Sequence, residues 1–100
     1  MIGCTGLTDQ ELDLIRTVFL RHVEVTGALL FGSRAKGTSS HSSDVDLALL
    51  GVGSPLLAEA IASELDELPL PYHFDVKALS AIEHQPLREH IERVGVRIYG

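Results

Sequence analysis

Two groups of residues in this chain could do chemistry together. The first is Gly32-Ser33-Arg34-Ala35-Lys36-Gly37, a run of small and basic residues. The second is the pair Asp44 and Asp46, one residue apart within Ser43-Asp44-Val45-Asp46-Leu47. Gly32 has no side chain, so a phosphate can come close to its backbone. Ser33 offers a hydroxyl and a backbone N–H at the start of an expected helical turn, where free donors and the helix dipole favour an anion. Arg34 and Lys36 supply positive charge. Two carboxylates at i and i+2 on a strand project from the same face. Together they suit a hard cation such as Mg²⁺, which takes oxygen ligands. Asp-x-Asp by itself is ordinarily a solvated strand face, and Gly-Ser before basic residues an ordinary turn. In this order and at this spacing they imply metal-assisted binding of a nucleoside triphosphate and transfer of its nucleotidyl group.

The flanking sequence must supply the elements that hold these groups. Thr8-Asp9-Gln10-Glu11 has the pattern of a capping box, so a helix should start after Thr8 and run to about residue 21. Leu12, Ile15, Phe19 and Val23 recur at helical spacing and form its expected buried stripe. Residues 25–31 read as a buried strand that stops at Gly32. A short helical turn over residues 33–36 and a Ser/Thr-rich loop to residue 43 should follow. Residues 44–50 read as a second strand, with Val45, Leu47 and Leu49 on one face and Asp44 and Asp46 on the other. Pro55 suits the first turn of a helix, whose apolar residues are Leu57, Ala60, Ile61, Leu65 and Leu68, and Pro69 and Pro71 end it. Residues 72–79 alternate again: Phe74 and Val76 point one way, and His73, Asp75 and Lys77 the other. Asp75 is thus the candidate third carboxylate, which would permit a second metal ion. Leu87, Ile91 and Val94 mark a last helix stopped by Gly95, and residues 96–99 suit a short edge strand. The pattern predicts an α/β (α+β) domain with helices packed on one face of a small mixed sheet.

The whole chain sets limits. Its 100 residues suit one domain spanning 1–100, and 45% hydrophobic with 22% charged residues is ordinary for a folded protein. The formal net charge of -6 argues against a sequence-independent grip on nucleic acid, which needs a basic surface. A nucleotide site needs only local positive charge. The single cysteine, Cys4, allows no internal disulfide and fits a cytoplasmic setting. No apolar run suggests a membrane span or a signal peptide. Of the five histidines, His22, His41, His73, His84 and His90, none pairs at zinc-site spacing. His84 and His90 should be solvated, His41 falls in the serine loop and His73 shares the expected face of Asp75.

Phe31-Gly32-Ser33-Arg34-Ala35-Lys36-Gly37 with Ser43-Asp44-Val45-Asp46-Leu47 resembles the signature of the DNA polymerase β-like nucleotidyltransferase superfamily. The small size is similar to its minimal branch, the MNT or MntA-type antitoxins of HEPN/MNT pairs. Pro69-Leu70-Pro71-Tyr72-His73-Phe74-Asp75-Val76 and Ile91-Glu92-Arg93-Val94-Gly95-Val96-Arg97-Ile98-Tyr99 also resemble that branch. The resemblance implies a polymerase β palm-like fold, with Gly32, Ser33 and Arg34 binding nucleotide. It implies Asp44, Asp46 and Asp75 as catalytic metal ligands for two Mg²⁺ ions. It also implies ATP as substrate and transfer of AMP to a tyrosine of a cognate HEPN ribonuclease toxin. Two alternatives stand beside this: a non-catalytic antitoxin that inhibits by contact, and nucleotidyl transfer to a small molecule. The latter ordinarily needs a further acceptor-binding domain.

Overall fold

The computed structural model describes residues 7–32 and 44–100. The expectations for residues 33–43, including the helical turn, Ser33, Arg34 and His41, lie outside the described residues, as does Cys4. Among the described residues there are three helices and four strands: α1 (Asp9–Leu20), β1 (Gly27–Phe31), β2 (Val45–Leu50), α2 (Pro55–Asp66), β3 (Phe74–Ala78), α3 (Gln85–Val94) and β4 (Val96–Tyr99), with a 3-10 turn at Leu79–Ala81. The sheet order is β3-β2-β1-β4. β1 pairs antiparallel with both β2 and β4, whereas β2 and β3 run parallel, as a crossover through α2 requires. This is the small mixed sheet of an α+β domain.

Local chemistry sets the helix ends. The Thr8 hydroxyl accepts from the Glu11 backbone N–H at 3.1 Å, and the Thr8 N–H donates to Glu11 Oε1 at 2.9 Å. The expected capping box is therefore closed. The other carboxylate oxygen of Glu11 accepts from the Tyr72 hydroxyl at 2.9 Å, so the same side chain ties the start of α1 to the segment leading into β3. Ser54 caps α2, with Pro55 in its first turn.

Alternation splits the sheet into two faces. Ala28 and Leu30 of β1, Val45, Leu47 and Leu49 of β2, Phe74 of β3 and Ile98 of β4 point to the main core. There they meet Leu12, Ile15, Val18 and Phe19 of α1 and Ala58, Ile61 and Leu65 of α2. Leu29, Phe31, Ala48 and Leu50 point to the opposite face, where α3 adds a smaller cluster through Leu87 and Ile91. The two long helices thus take one face, and the short third helix covers part of the other.

Two expected core positions are corrected. Val23 is 92% exposed, because α1 ends at Leu20 with Arg21 as its C-cap and the helical spacing no longer holds beyond it. Ala60 is exposed, and Ala58 takes the buried place on α2, in phase with Ile61 and Leu65. The edges are fastened by side chains. Arg16 Nε donates to the Ile98 carbonyl at 2.7 Å, and the rings of Phe19 and Tyr99 lie 5.3 Å apart. Glu64 receives His22 at 2.7 Å and Arg21 at 3.4 Å, which links the end of α1 to α2.

β2 is the inner strand between β1 and β3, and its Leu47 is fully buried. Leu47→Ala should cost about 2–5 kcal/mol in urea unfolding, because a packed site relaxes only partly around the lost volume. A cost under about 1 kcal/mol would contradict this core assignment.

Candidate active site

The candidate residues meet because β2 lies between the end of β1 and β3. In the antiparallel ladder Asp46 stands opposite Phe31, the residue before Gly32. In the parallel ladder it stands beside Asp75. Adjacent strands lie about 4.8 Å apart, so one strand register brings the Gly32 turn and two carboxylates onto one face. That face is the one opposite the main core. Asp44 precedes β2 by one residue and is exposed. The Val45 N–H beside it donates to the His73 carbonyl at 2.9 Å, which starts the β2–β3 ladder. His73 thus contributes backbone there, and its side chain is exposed.

Gly32 has φ +81°, a left-handed conformation that side-chain-bearing residues rarely adopt. A Cβ built there would run into Oδ2 of Asp46. The glycine therefore does two things: it turns the chain out of β1, and it leaves room for the Asp46 carboxylate.

Asp46 is half-buried, and its pKa is raised above the ordinary carboxylate value. Burial is the largest cause, followed by the negative charges of Asp75 and Asp44, while Lys77 acts in the opposite direction. The three carboxylates thus share one electrostatic neighbourhood. Lys77, two residues after Asp75 on the same strand face, places its ammonium 3.2 Å and 3.4 Å from the two Asp75 oxygens. Sequence reasoning placed Lys77 on this face but gave it no role. The signal was available in the i, i+2 spacing.

The donor set has the chemistry a hard divalent ion needs: neighbouring carboxylates, with Lys77 the cation that acts on them among the described residues. Among the described residues no three acidic, histidine or cysteine side chains converge closely enough to hold an ion between them. Asp75 is engaged with Lys77 instead. Asp46 and Asp75 are brought to one face, with Gly32 at its rim, and Asp44, one residue before β2, is near enough for its charge to act on Asp46. Ser33 and Arg34 lie outside the described residues.

Comparison with known proteins agrees with this geometry. Residues 13–100 match the family described as Polymerase beta, Nucleotidyltransferase. Among solved structures, the chain is similar to a toxin-antitoxin crystallised with AMP-PNP, with TM-score 0.65 and 24% identity over 89% of this chain and 73% of that one. It is also similar to a candidate nucleotidyltransferase from Sulfolobus solfataricus, with TM-score 0.54 and 14% identity over 86% of this chain and 73% of that one. At these identities both likenesses speak to the fold. No curated protein matches the chain.

Two outcomes follow from the geometry. Gly32→Ala should destabilise the fold by at least about 1–2 kcal/mol, the cost of left-handed backbone for a residue with a Cβ, and urea unfolding measures it. A neutral substitution would mean that the chain leaves β1 differently. The second concerns Asp46. Its carboxyl binds a proton more tightly folded than unfolded, so its contribution to stability is fullest at low pH and is lost as pH rises through the raised folded pKa. Asp46→Asn should therefore raise the melting temperature of the metal-free protein near pH 7, with the gain shrinking towards about pH 4. A lower melting temperature for the variant at neutral pH would show that the carboxylate is held by contacts stronger than the repulsion.

Proposed function

We propose that this chain, which belongs to the polymerase β nucleotidyltransferase family, transfers AMP from ATP to a hydroxyl of another protein and thereby acts as an antitoxin. The acceptor in this reading is a tyrosine of a cognate HEPN-type ribonuclease toxin. One observation supports the catalytic part above the others. A single strand register sets Asp46 beside both Asp75 and the end of β1, with a glycine whose missing Cβ keeps the Asp46 carboxylate clear. The likeness in fold to a toxin-antitoxin solved with AMP-PNP supports the antitoxin part.

Asp44, Asp46 and Asp75 are the residues that would hold divalent metal, two Mg²⁺ ions in this reading. Bound metal supplies positive charge against the triphosphate and favours ionisation of the attacking hydroxyl. The chain's own groups do the rest. Gly32 lets the triphosphate approach the backbone, and Ser33 donates to it from hydroxyl and N–H. Arg34 adds positive charge. The acceptor oxygen forms a bond to the α-phosphorus while the bond from that phosphorus to the α,β-bridging oxygen breaks. Pyrophosphate leaves with the electron pair, and the Asp75 carboxylate takes the hydroxyl proton. There is little covalent work for the protein, so positioning and electrostatics carry the rate.

The test is an intact-mass measurement. A candidate HEPN partner is incubated with this protein, ATP and Mg²⁺. The partner should gain mass in whole AMP units, and Asp44→Asn with Asp46→Asn should reduce the gain by at least about 100-fold while leaving the fold intact. A stable complex with no mass gain would replace transfer by inhibition through contact. Undiminished transfer by the double variant would overturn the assignment of the carboxylates.

A further inference from the structure

Lys77 is the one residue on the acidic face with a charge opposite to the carboxylates there and a direct contact to one of them among the described residues. Its ammonium reaches both oxygens of Asp75, and its field also acts on Asp46. In the parallel ladder it stands beside Ala48, whose methyl group leaves the Lys77 stem room to lie along the sheet. The pair adds little to the fold, since the Asp75 and Lys77 side chains are 47% and 42% exposed and solvent screens them. Its effect is therefore to be sought at the site. An Asp75 whose two oxygens both face an ammonium is not free to ligate a divalent ion on the same side.

We infer that Lys77 is a positioning residue that acts as the resident counter-ion of Asp75, so that a divalent cation must displace its ammonium before that carboxylate can join Asp44 and Asp46. The inference rests on the reading of these three aspartates as metal ligands. It adds that occupancy of the Asp75 position is controlled by an exchange of cations. When metal binds there, the Lys77 ammonium is released on its flexible stem to the edge of the site. Asp75 then has a cationic partner in two states: the Lys77 ammonium without metal, and the metal when it is bound, with the ammonium set free. Nothing is cleaved or formed in the exchange.

The experiment measures Mn²⁺ binding to the full chain without nucleotide, by the loss of the free-ion electron paramagnetic resonance signal. It therefore does not depend on activity. The proteins are wild type, Lys77→Met, Lys77→Arg, Asp75→Asn and the Lys77→Met/Asp75→Asn double variant, each checked by circular dichroism. Lys77→Met should tighten Mn²⁺ binding by about three- to tenfold, the scale expected for removing one competing charge near the surface. Lys77→Arg should stay close to wild type. In the Asp75→Asn background the Lys77→Met gain should disappear, because the competition runs through that carboxylate. Wild-type binding with no tightening in Lys77→Met overturns the inference and leaves the aspartates as ligands. A gain that persists undiminished in Asp75→Asn also overturns it, as it would reflect a field at a distance. No Mn²⁺ binding by any variant overturns both the inference and the reading beneath it.

Discussion

The sheet forces like charges together, and much of the structure around Asp46 is arranged about that repulsion. β2 is an inner strand, bonded on both sides, and its register cannot slip by one residue without turning Val45, Leu47 and Leu49 away from the core. The same register that buries those three residues sends Asp46 to the other face, next to Asp75 and near Asp44. Core packing thus imposes a cost on the Asp46 carboxylate, whose pKa is raised first by burial and then by the charges of Asp75 and Asp44. A sequence selected for stability alone has simple remedies, such as an asparagine at either position. A cluster of this kind is a mark of a candidate functional site.

The support behind the cluster is stiff where it needs to be. Asp46 stands between two ladders, and the opposite side of the sheet is packed by α1 and α2 through fully buried residues such as Ile15, Phe19, Ile61 and Leu65. Such packing resists the small shifts that would move one carboxylate relative to another. The face that carries the cluster is covered differently. Among the described residues α3 meets it through Leu87 and Ile91, over Phe31, Ala48 and their neighbours.

Much of this could be read from the residues because the physics is local. The capping box at Thr8 and Glu11, the prolines at the ends of α2 and the period-two alternation of β2 and β3 each depend on near neighbours, and each is found in the structure. Alternation alone put Asp46 and Asp75 on one type of face. It could not show that their strands are adjacent and in register, because pairing is a property of the whole sheet. Errors arose where a periodic pattern was carried past the end of its element. Val23 keeps helical spacing after the helix has stopped, and Ala60 is apolar but out of phase with the buried Ala58, Ile61 and Leu65. The ion pair of Lys77 with Asp75 was legible in spacing, but the sequence does not say which of several nearby carboxylates a flexible lysine will choose.

The charges on the face also constrain the order of binding. Among the described residues, Asp46 and Asp75 share it, Asp44 acts on Asp46 from nearby, and the Lys77 ammonium is already engaged with Asp75. A triphosphate brings further negative charge, so it gains nothing by approaching these side chains unaccompanied. A cation that bridges carboxylate and phosphate oxygens lowers the repulsion of both partners at once. Its affinity for the site must then rise when nucleotide is present, and the affinity of nucleotide must rise with the cation by the same factor, since the coupling is reciprocal. The Lys77–Asp75 contact enters this coupling directly: whatever separates the two charges makes the carboxylate more receptive to metal and leaves an ammonium near the incoming anion. In the proposed reading cation, nucleotide and lysine are therefore linked terms of one equilibrium, and a change at Lys77 is felt in the binding of the other two.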